Sequence, residues 1–308
     1  MYLGGGTPSS LETQEFRAIL AAVPGRPWKE ATLEASPGTI TPEKAAGWQA
    51  CDINRVSLGA QSFVQEEIAA TGRKHTADTV VGDIATLRQA GITNYNIDLI
   101  AGLARQTMAG WRESLDWIER LAPPHVSVYM LEVDDDSRLG REKLLGGVRY
   151  GAETTPSDGE TAEMYEFAVE RLEATGIRRY EISNFARPGF ESIHNLKYWR
   201  FEPYVGFGAD AHSFDGVRRW QNVESPAEYV EHRAERETVT ADLCEEKFFV
   251  GLRLMDGIRP SQEEWRRFDL PIRRFVNEGL LETSGDMLRL TKRGVMLSNE
   301  VFQEFLTS

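Results

Sequence analysis

Asn54-Arg55-Val56-Ser57-Leu58-Gly59-Ala60-Gln61-Ser62-Phe63 reads as a strand with two unlike faces. Successive side chains of a strand point to opposite sides, so Val56, Leu58 and Ala60 share one face, and Arg55, Ser57, Gly59 and Gln61 the other. The same split recurs nearby. In Asn96-Ile97-Asp98-Leu99, Ile97 and Leu99 oppose Asn96 and Asp98; in Thr32-Leu33-Glu34-Ala35, Leu33 and Ala35 oppose Thr32 and Glu34. Strands are expected over 2–4, 32–35, 55–62, 95–100 and 125–133, with helices over 10–23, 42–50, 76–90 and 108–121 between them. Repeated βα units imply an α/β fold, a parallel sheet or barrel with right-handed crossovers. The apolar faces then meet the helices, and the polar faces point into a lumen. Such a lumen is ordinarily filled by bulky branched side chains. One lined by Glu34, Gln61 and Asp98 is built around a polar ligand, or is a wet core whose members satisfy one another.

Local signals fix several boundaries. Ser9 or Ser10 can cap the first helix, Pro42 suits a first helical turn, and Gly91 stops the helix before it. Residues 134–160 read as a long surface loop; Asp134-Asp135-Asp136 within it reads as solvated, without EF-hand spacing. A helix over 159–175 and a strand over 180–185 follow. Three regions are expected: a barrel part over 1–185, a connecting segment over 186–239, and a C-terminal domain over 240–308. The last, short helices followed by a two-stranded ribbon, resembles a winged helix with Trp265, Phe268, Phe275 and Leu280 as its core.

The 308 residues carry 35 Lys and Arg against 48 Asp and Glu, a net charge of −13. Charge of that sign argues against nucleic-acid or anionic-membrane binding. Residues 241–308 carry 10 basic and 12 acidic side chains, the wrong balance for a reader of phosphate backbones. No apolar run approaches the roughly 20 residues that span a bilayer. Two cysteines, Cys51 and Cys244, make no disulfide framework and suggest a reducing cytoplasm.

Gly4-Gly5-Gly6-Thr7-Pro8-Ser9 follows a strand, where α/β proteins bind ligands. It is neither a P-loop nor a dinucleotide fingerprint, and a tight turn explains it nearly as well. With Glu34-Ala35-Ser36-Pro37-Gly38-Thr39, the strand quoted first, Gly72-Arg73-Lys74-His75, and Asn96-Ile97-Asp98-Leu99-Ile100-Ala101-Gly102-Leu103 before Gln106-Thr107, it forms an ordered set. This set resembles the coproporphyrinogen III oxidase-like branch of the radical S-adenosylmethionine proteins, over essentially the whole chain. His194-Asn195-Leu196-Lys197-Tyr198-Trp199 is similar to the HNxxYW motif of the HemW-type haem chaperones in that branch, and Gly206-Phe207-Gly208-Ala209-Asp210-Ala211-His212-Ser213 also resembles the chaperone-like branch.

The resemblance implies a (β/α)6-type radical SAM barrel and a winged-helix-like C-terminal domain. It implies that Gly5, Gly6 and Thr7 contact the amino group of S-adenosylmethionine, while Glu34, Gln61, Arg73 and Asp98 hold its methionine and ribose parts. It implies a [4Fe–4S] cluster, haem, and an unidentified haem-acceptor protein. His194 is the implied axial ligand of haem iron, with Tyr198 and Trp199 beside it. The alternatives are a structural His–Tyr–Trp cluster, or His212 as the ligand; His75 and His125 are expected to be structural, and His232 to sit on an exposed helix.

One departure stands out. The family's C-x3-C-x2-C loop, whose three thiolates hold the cluster, is absent here, and Cys51 and Cys244 are far apart in sequence. Met1-Tyr2-Leu3 reads as the tail of a strand, so the expectation is a partial barrel without its first strand, from a late start or a gene fragment; a natural cluster-free descendant is the other possibility. Three functions compete: a haem chaperone, an oxygen-independent coproporphyrinogen III oxidase, and a binding protein that no longer uses the cluster.

Overall fold

The computed structural model describes residues 1–131, 153–231, 239–240 and 242–306. The chain divides into two compact units, Met1–Arg179 with Ser183–Glu191, and Tyr180–Ile182 with Ser192–Ser308.

The strand quoted first is β3 (Arg55–Gln61), the middle of a parallel set with β1 (Tyr2–Leu3), β2 (Thr32–Ala35), β4 (Asn94–Ala101) and β5 (His125–Met130). With β6 (Arg178–Glu181) and β7 (Asn184–Ala186) the sheet order is β1-β2-β3-β4-β5-β7-β6. It is an open sheet among the described residues. β7 runs antiparallel to β5, setting Asn184 opposite Ser127. The single strand expected over 180–185 is therefore two strands, because the chain reverses at Ile182-Ser183. The strand over 55–62 stops at Gln61, where the pairing slips after Leu58 and the backbone turns to φ +67°.

The apolar faces pack as expected. Leu33, Val56, Leu58, Ala60, Ile97 and Leu99 are all buried, as are Phe16 and Leu20 of helix Thr13–Ala22 and Trp48 of helix Pro42–Gln49. The first helix begins later than the serines suggest. Pro8–Ser10 is a 3-10 turn, and Glu12 with Glu15 forms the capping box. Pro42 sits at the first turn after the Thr41 cap, and Thr76 caps helix Ala77–Gln89. Helix Gln65–Ala70 is too short to leave a periodic signal and was not expected. His75 and His125 are buried and bonded to the Ala60 carbonyl (3.0 Å) and Asn96 Oδ1 (2.7 Å). The acidic run Asp134–Asp136 and His232 lie outside the described residues.

Asp83, on the inner side of helix Ala77–Gln89, is 5% exposed and accepts a hydrogen bond from the Gly38 amide at 2.7 Å. Burial pushes its pKa up to about 6 despite that bond. The folded chain thus keeps a proton between about pH 4 and 6 that the unfolded chain has released, so this group's contribution to stability falls as pH rises through that window. Asp83→Asn keeps an acceptor without the charge. It is expected to stabilise the protein at pH 8 by about 1–3 kcal/mol and to change little at pH 4, as read by urea unfolding at the two pH values.

The second unit ends in helices Leu243–Phe249, Gln262–Arg267 and Asp269–Asn277, an antiparallel ribbon of Leu281–Ser284 and Met287–Leu290, and helices Lys292–Met296 and Ser298–Gln303. Phe268, Phe275 and Leu280 are buried with Phe248, Phe302 and Phe305. Trp265 is only half-buried; Glu264 takes the inward position beside it and accepts from Lys247 at 2.7 Å.

Candidate functional site

At the C-terminal ends of the parallel strands the polar faces enclose a cleft of about 260 Å³. Gly6, Thr7, Glu34, Gln61, Arg73 and Asp98 all line it, together with Ser57, Gly59 and Tyr129. Gly5 is not among the lining residues; it and Gly6 adopt φ +81° and +63°, a left-handed turn that favours glycine.

Each wall has a local cause. On β2, Glu34 Oε1 accepts from the Tyr2 hydroxyl of β1 at 2.5 Å. A Cβ on Gly4 would lie 2.7 Å from Tyr2 Cε1 and 3.0 Å from Glu34 Oε1, so only glycine leaves room for this pair. Burial first, and then the Glu34 charge, push the Tyr2 pKa up, so the hydroxyl stays a donor. On β3, a Cβ on Gly59 would meet Gln61 Nε2 at 2.9 Å and Arg73 Nη1 at 3.6 Å. Arg73 donates to the Gly59 carbonyl at 2.9 Å, which aims its guanidinium along the cleft wall.

Asp98 accepts from Asn96 Nδ2 at 2.5 Å and from Ser57 Oγ at 3.2 Å. Asn96 Nδ2 also donates to Ser127 Oγ (2.9 Å), and that hydroxyl donates to Asn184 Oδ1 (2.7 Å), so the carboxylate is braced from β3, β4, β5 and β7. Burial raises its pKa; its polar neighbours Ser127 and Asn96, the Arg55 charge and Ser57 oppose that.

A buried acidic network behind the rim was not foreseen. Glu67 is 1% exposed and accepts from Ser62 Oγ (2.7 Å) and Gln106 Nε2 (3.1 Å), while Gln106 Oε1 receives the Gly102 and Leu103 amides at 2.6 and 3.2 Å. This ties the segment after Gln61 to the turn after β4. Tyr129 was missed too, although alternation from His125 and Ser127 puts it on the lumen face.

In the second unit, Ser192 caps helix Ile193–Trp199, none of whose residues is fully buried. His194 and Tyr198, four apart, stack edge-to-face with ring centroids 4.8 Å apart, and Tyr198 meets Tyr204 at 4.6 Å. Arg253 lies 4.7 Å over the Trp199 ring, whose buried Nε1 has no hydrogen-bond partner among the described residues. His212 opens the exposed end of strand His212–Phe214.

The Radical SAM superfamily profile matches residues 1–118, and the HemN C-terminal domain profile residues 240–297. The heme chaperone HemW of Bacillus subtilis is 33% identical over 326 residues, 99% of this chain and 85% of that protein. The chain belongs to the HemW heme chaperone family. The HemW of Mycobacterium tuberculosis is 34% identical over 99% of this chain and 80% of its own, and that of Escherichia coli 28% identical over 99% and 83%. The solved structure of coproporphyrinogen III oxidase (HemN) from Escherichia coli superposes with a TM-score of 0.82 over 99% of this chain and 77% of that one, at 19% identity; this likeness shows the fold alone.

The residues of this HemW family member suit the two implied groups unequally. The cleft offers a cation, two carboxylates and an amide beside exposed backbone, a donor set that matches a sulfonium nucleoside with an amine, a carboxylate and a diol. A [4Fe–4S] cluster needs clustered thiolates. Cys51 is buried in the first unit, Cys244 belongs to the second, and no His, Cys, Asp and Glu group of three or more among the described residues is arranged to hold a metal.

Proposed function

We propose that this chain is a haem-binding chaperone that holds S-adenosylmethionine in the first unit and haem at His194 in the second, and passes haem to an acceptor protein. The observation that carries the reading is the match to HemW chaperones along 99% of the chain. The His194–Trp199 motif supports it at the level of residues.

In the cleft, Arg73 would pair with the ligand carboxylate, Gly6 and Thr7 would face its amino group on the turn that Gly5 begins, and Glu34, Gln61 and Asp98 would accept from and donate to the amine and ribose. Bound S-adenosylmethionine supplies a sulfonium centre and an adenosyl group. What these residues do is orient it, and Ser57 and Asn96 hold Asp98 ready to accept. Tyr198 packs edge-on against His194 and fixes the imidazole plane. No described helix is long and apolar enough to cross a membrane, and the two thiols suit a reducing cytoplasm.

Haem titration followed by the Soret band tests the reading. His194→Ala is expected to weaken binding at least about tenfold, a loss of about 1.4 kcal/mol, and to change the band position. His212→Ala is expected to do neither. Unchanged binding in His194→Ala overturns the ligand assignment. The fold likeness to the oxidase carries no activity with it, and porphyrinogen decarboxylation is not expected of this chain.

A further inference from the structure

We propose that Glu67 is a positioning residue for the cleft: it grips Ser62 from the interior and so holds Gln61 in the left-handed turn that sets its side chain in the cleft wall. Gln61 has φ +67°, and the Ser62 amide donates back across it to the Ala60 carbonyl at 2.8 Å. A hydrogen bond that spans one residue at positive φ makes the rare, strained hand of γ-turn. A residue with a Cβ is disfavoured in left-handed backbone by about 5- to 30-fold. Such a conformation persists only where its surroundings over-determine it.

Both ends of the turn are held. At its start the Ala60 carbonyl accepts a second bond, from His75 Nε2 at 3.0 Å. At its end Ser62 is fully buried and donates through Oγ to Glu67 Oε2 at 2.7 Å. The Ser62 hydroxyl in turn accepts from the Val64 amide at 3.0 Å, which fixes its direction. The same Glu67 oxygen accepts from Gln106 Nε2 at 3.1 Å. Gln106 Nε2 also donates to the Ile100 carbonyl at 3.0 Å, and Gln106 Oε1 accepts from the Gly102 amide at 2.6 Å. The clamp therefore runs from the tip of β3, which carries Gln61, to the tip of β4, the strand of Asp98. Space for it is kept open: a Cβ on Gly110 would stand 2.3 Å from Glu67 Oε1. Glu67 is 1% exposed, and a carboxyl that deep is tolerated only when donors surround it, whereas an aliphatic side chain would pack there without them. What the carboxyl does at that depth is fix the turn.

The effect on ligand affinity rests on the cofactor reading of the cleft; the hold on the turn does not. The first measurement is NMR of the ligand-free full chain labelled with 15N-glutamine, with Gln61 assigned by Gln61→Asn. Wild-type Gln61 is expected to show the strong NOE between its own amide and Cα protons that marks a positive φ. Glu67→Leu is expected to lose it. Glu67→Gln keeps an oxygen for Ser62 and Gln106, and is expected to retain it. A residue that served stability alone would lower the melting temperature and leave this signal in place. The second measurement is S-adenosylmethionine affinity by calorimetry. It is expected to fall about 5- to 30-fold in Glu67→Leu, because only that fraction of chains keeps the competent turn, and by much less in Glu67→Gln. Ser62→Ala covers a failure of Glu67→Leu to fold, since it removes only the hydroxyl that joins the turn to Glu67; it is expected to lose the NOE and the affinity alike. A wild type without the NOE, or an NOE that persists in folded Glu67→Leu or in Ser62→Ala, overturns the inference. A lost NOE with unchanged affinity supports it and overturns the cofactor role of Gln61 instead.

Discussion

Arg73→Met is expected to weaken S-adenosylmethionine binding by about 10- to 150-fold while leaving the melting temperature nearly unchanged. Arg73 is the cleft-lining cation best placed to meet a carboxylate, held in place by the Gly59 carbonyl. Charge-assisted hydrogen bonds contribute about 1.5–3 kcal/mol each, which converts to that range. Arg73 is half-buried and serves no packed core, so methionine can lie along the same wall without a cavity. Calorimetric titration alongside thermal unfolding separates the two effects. A large drop in melting temperature would make Arg73 a structural residue and remove it from the binding account.

The largest effect on stability is expected at Trp111. It lies on helix Met108–Leu121, is fully buried, and donates through Nε1 to the Met164 carbonyl at 2.7 Å. That bond clasps helix Asp158–Ala174, which packs beside it. Trp111→Ala leaves a cavity and a buried carbonyl without its donor, a loss of about 3–5 kcal/mol. In a unit of this size each kcal/mol moves the midpoint by about 2–4 °C, so a fall of about 6–20 °C is expected in thermal unfolding of the full chain. Trp111→Phe fills most of the space and should lose much less.

Where period-2 alternation was unbroken, the sequence was a sound guide. Val56, Leu58 and Ala60 face the helices, Ser57, Gly59 and Gln61 face the cleft, and Glu34 and Asp98 join them there. What was not legible depends on the third dimension. The left-handed turn at Gln61 and the register slip before it have no signature in residue order. The Glu67–Gln106 bond joins side chains 39 positions apart. Arg55 reads simply as a polar-face residue; that it is buried beside Thr32 and Asn94 appears only when β2, β3 and β4 are aligned. The sequence puts Trp265 in the core, but Glu264, paired with Lys247, takes the inward position.

The central claim is that the polar faces of β2, β3 and β4 converge on one pocket for an adenosyl sulfonium ligand. Saturation-transfer NMR with S-adenosylmethionine and its neutral thioether, S-adenosylhomocysteine, tests it most directly, on the wild type and on Asp98→Asn. The account predicts saturable binding of both ligands, with the ribose protons in closest contact, and loss of that contact in Asp98→Asn. No saturable binding, or an identical contact pattern after the substitution, would contradict it.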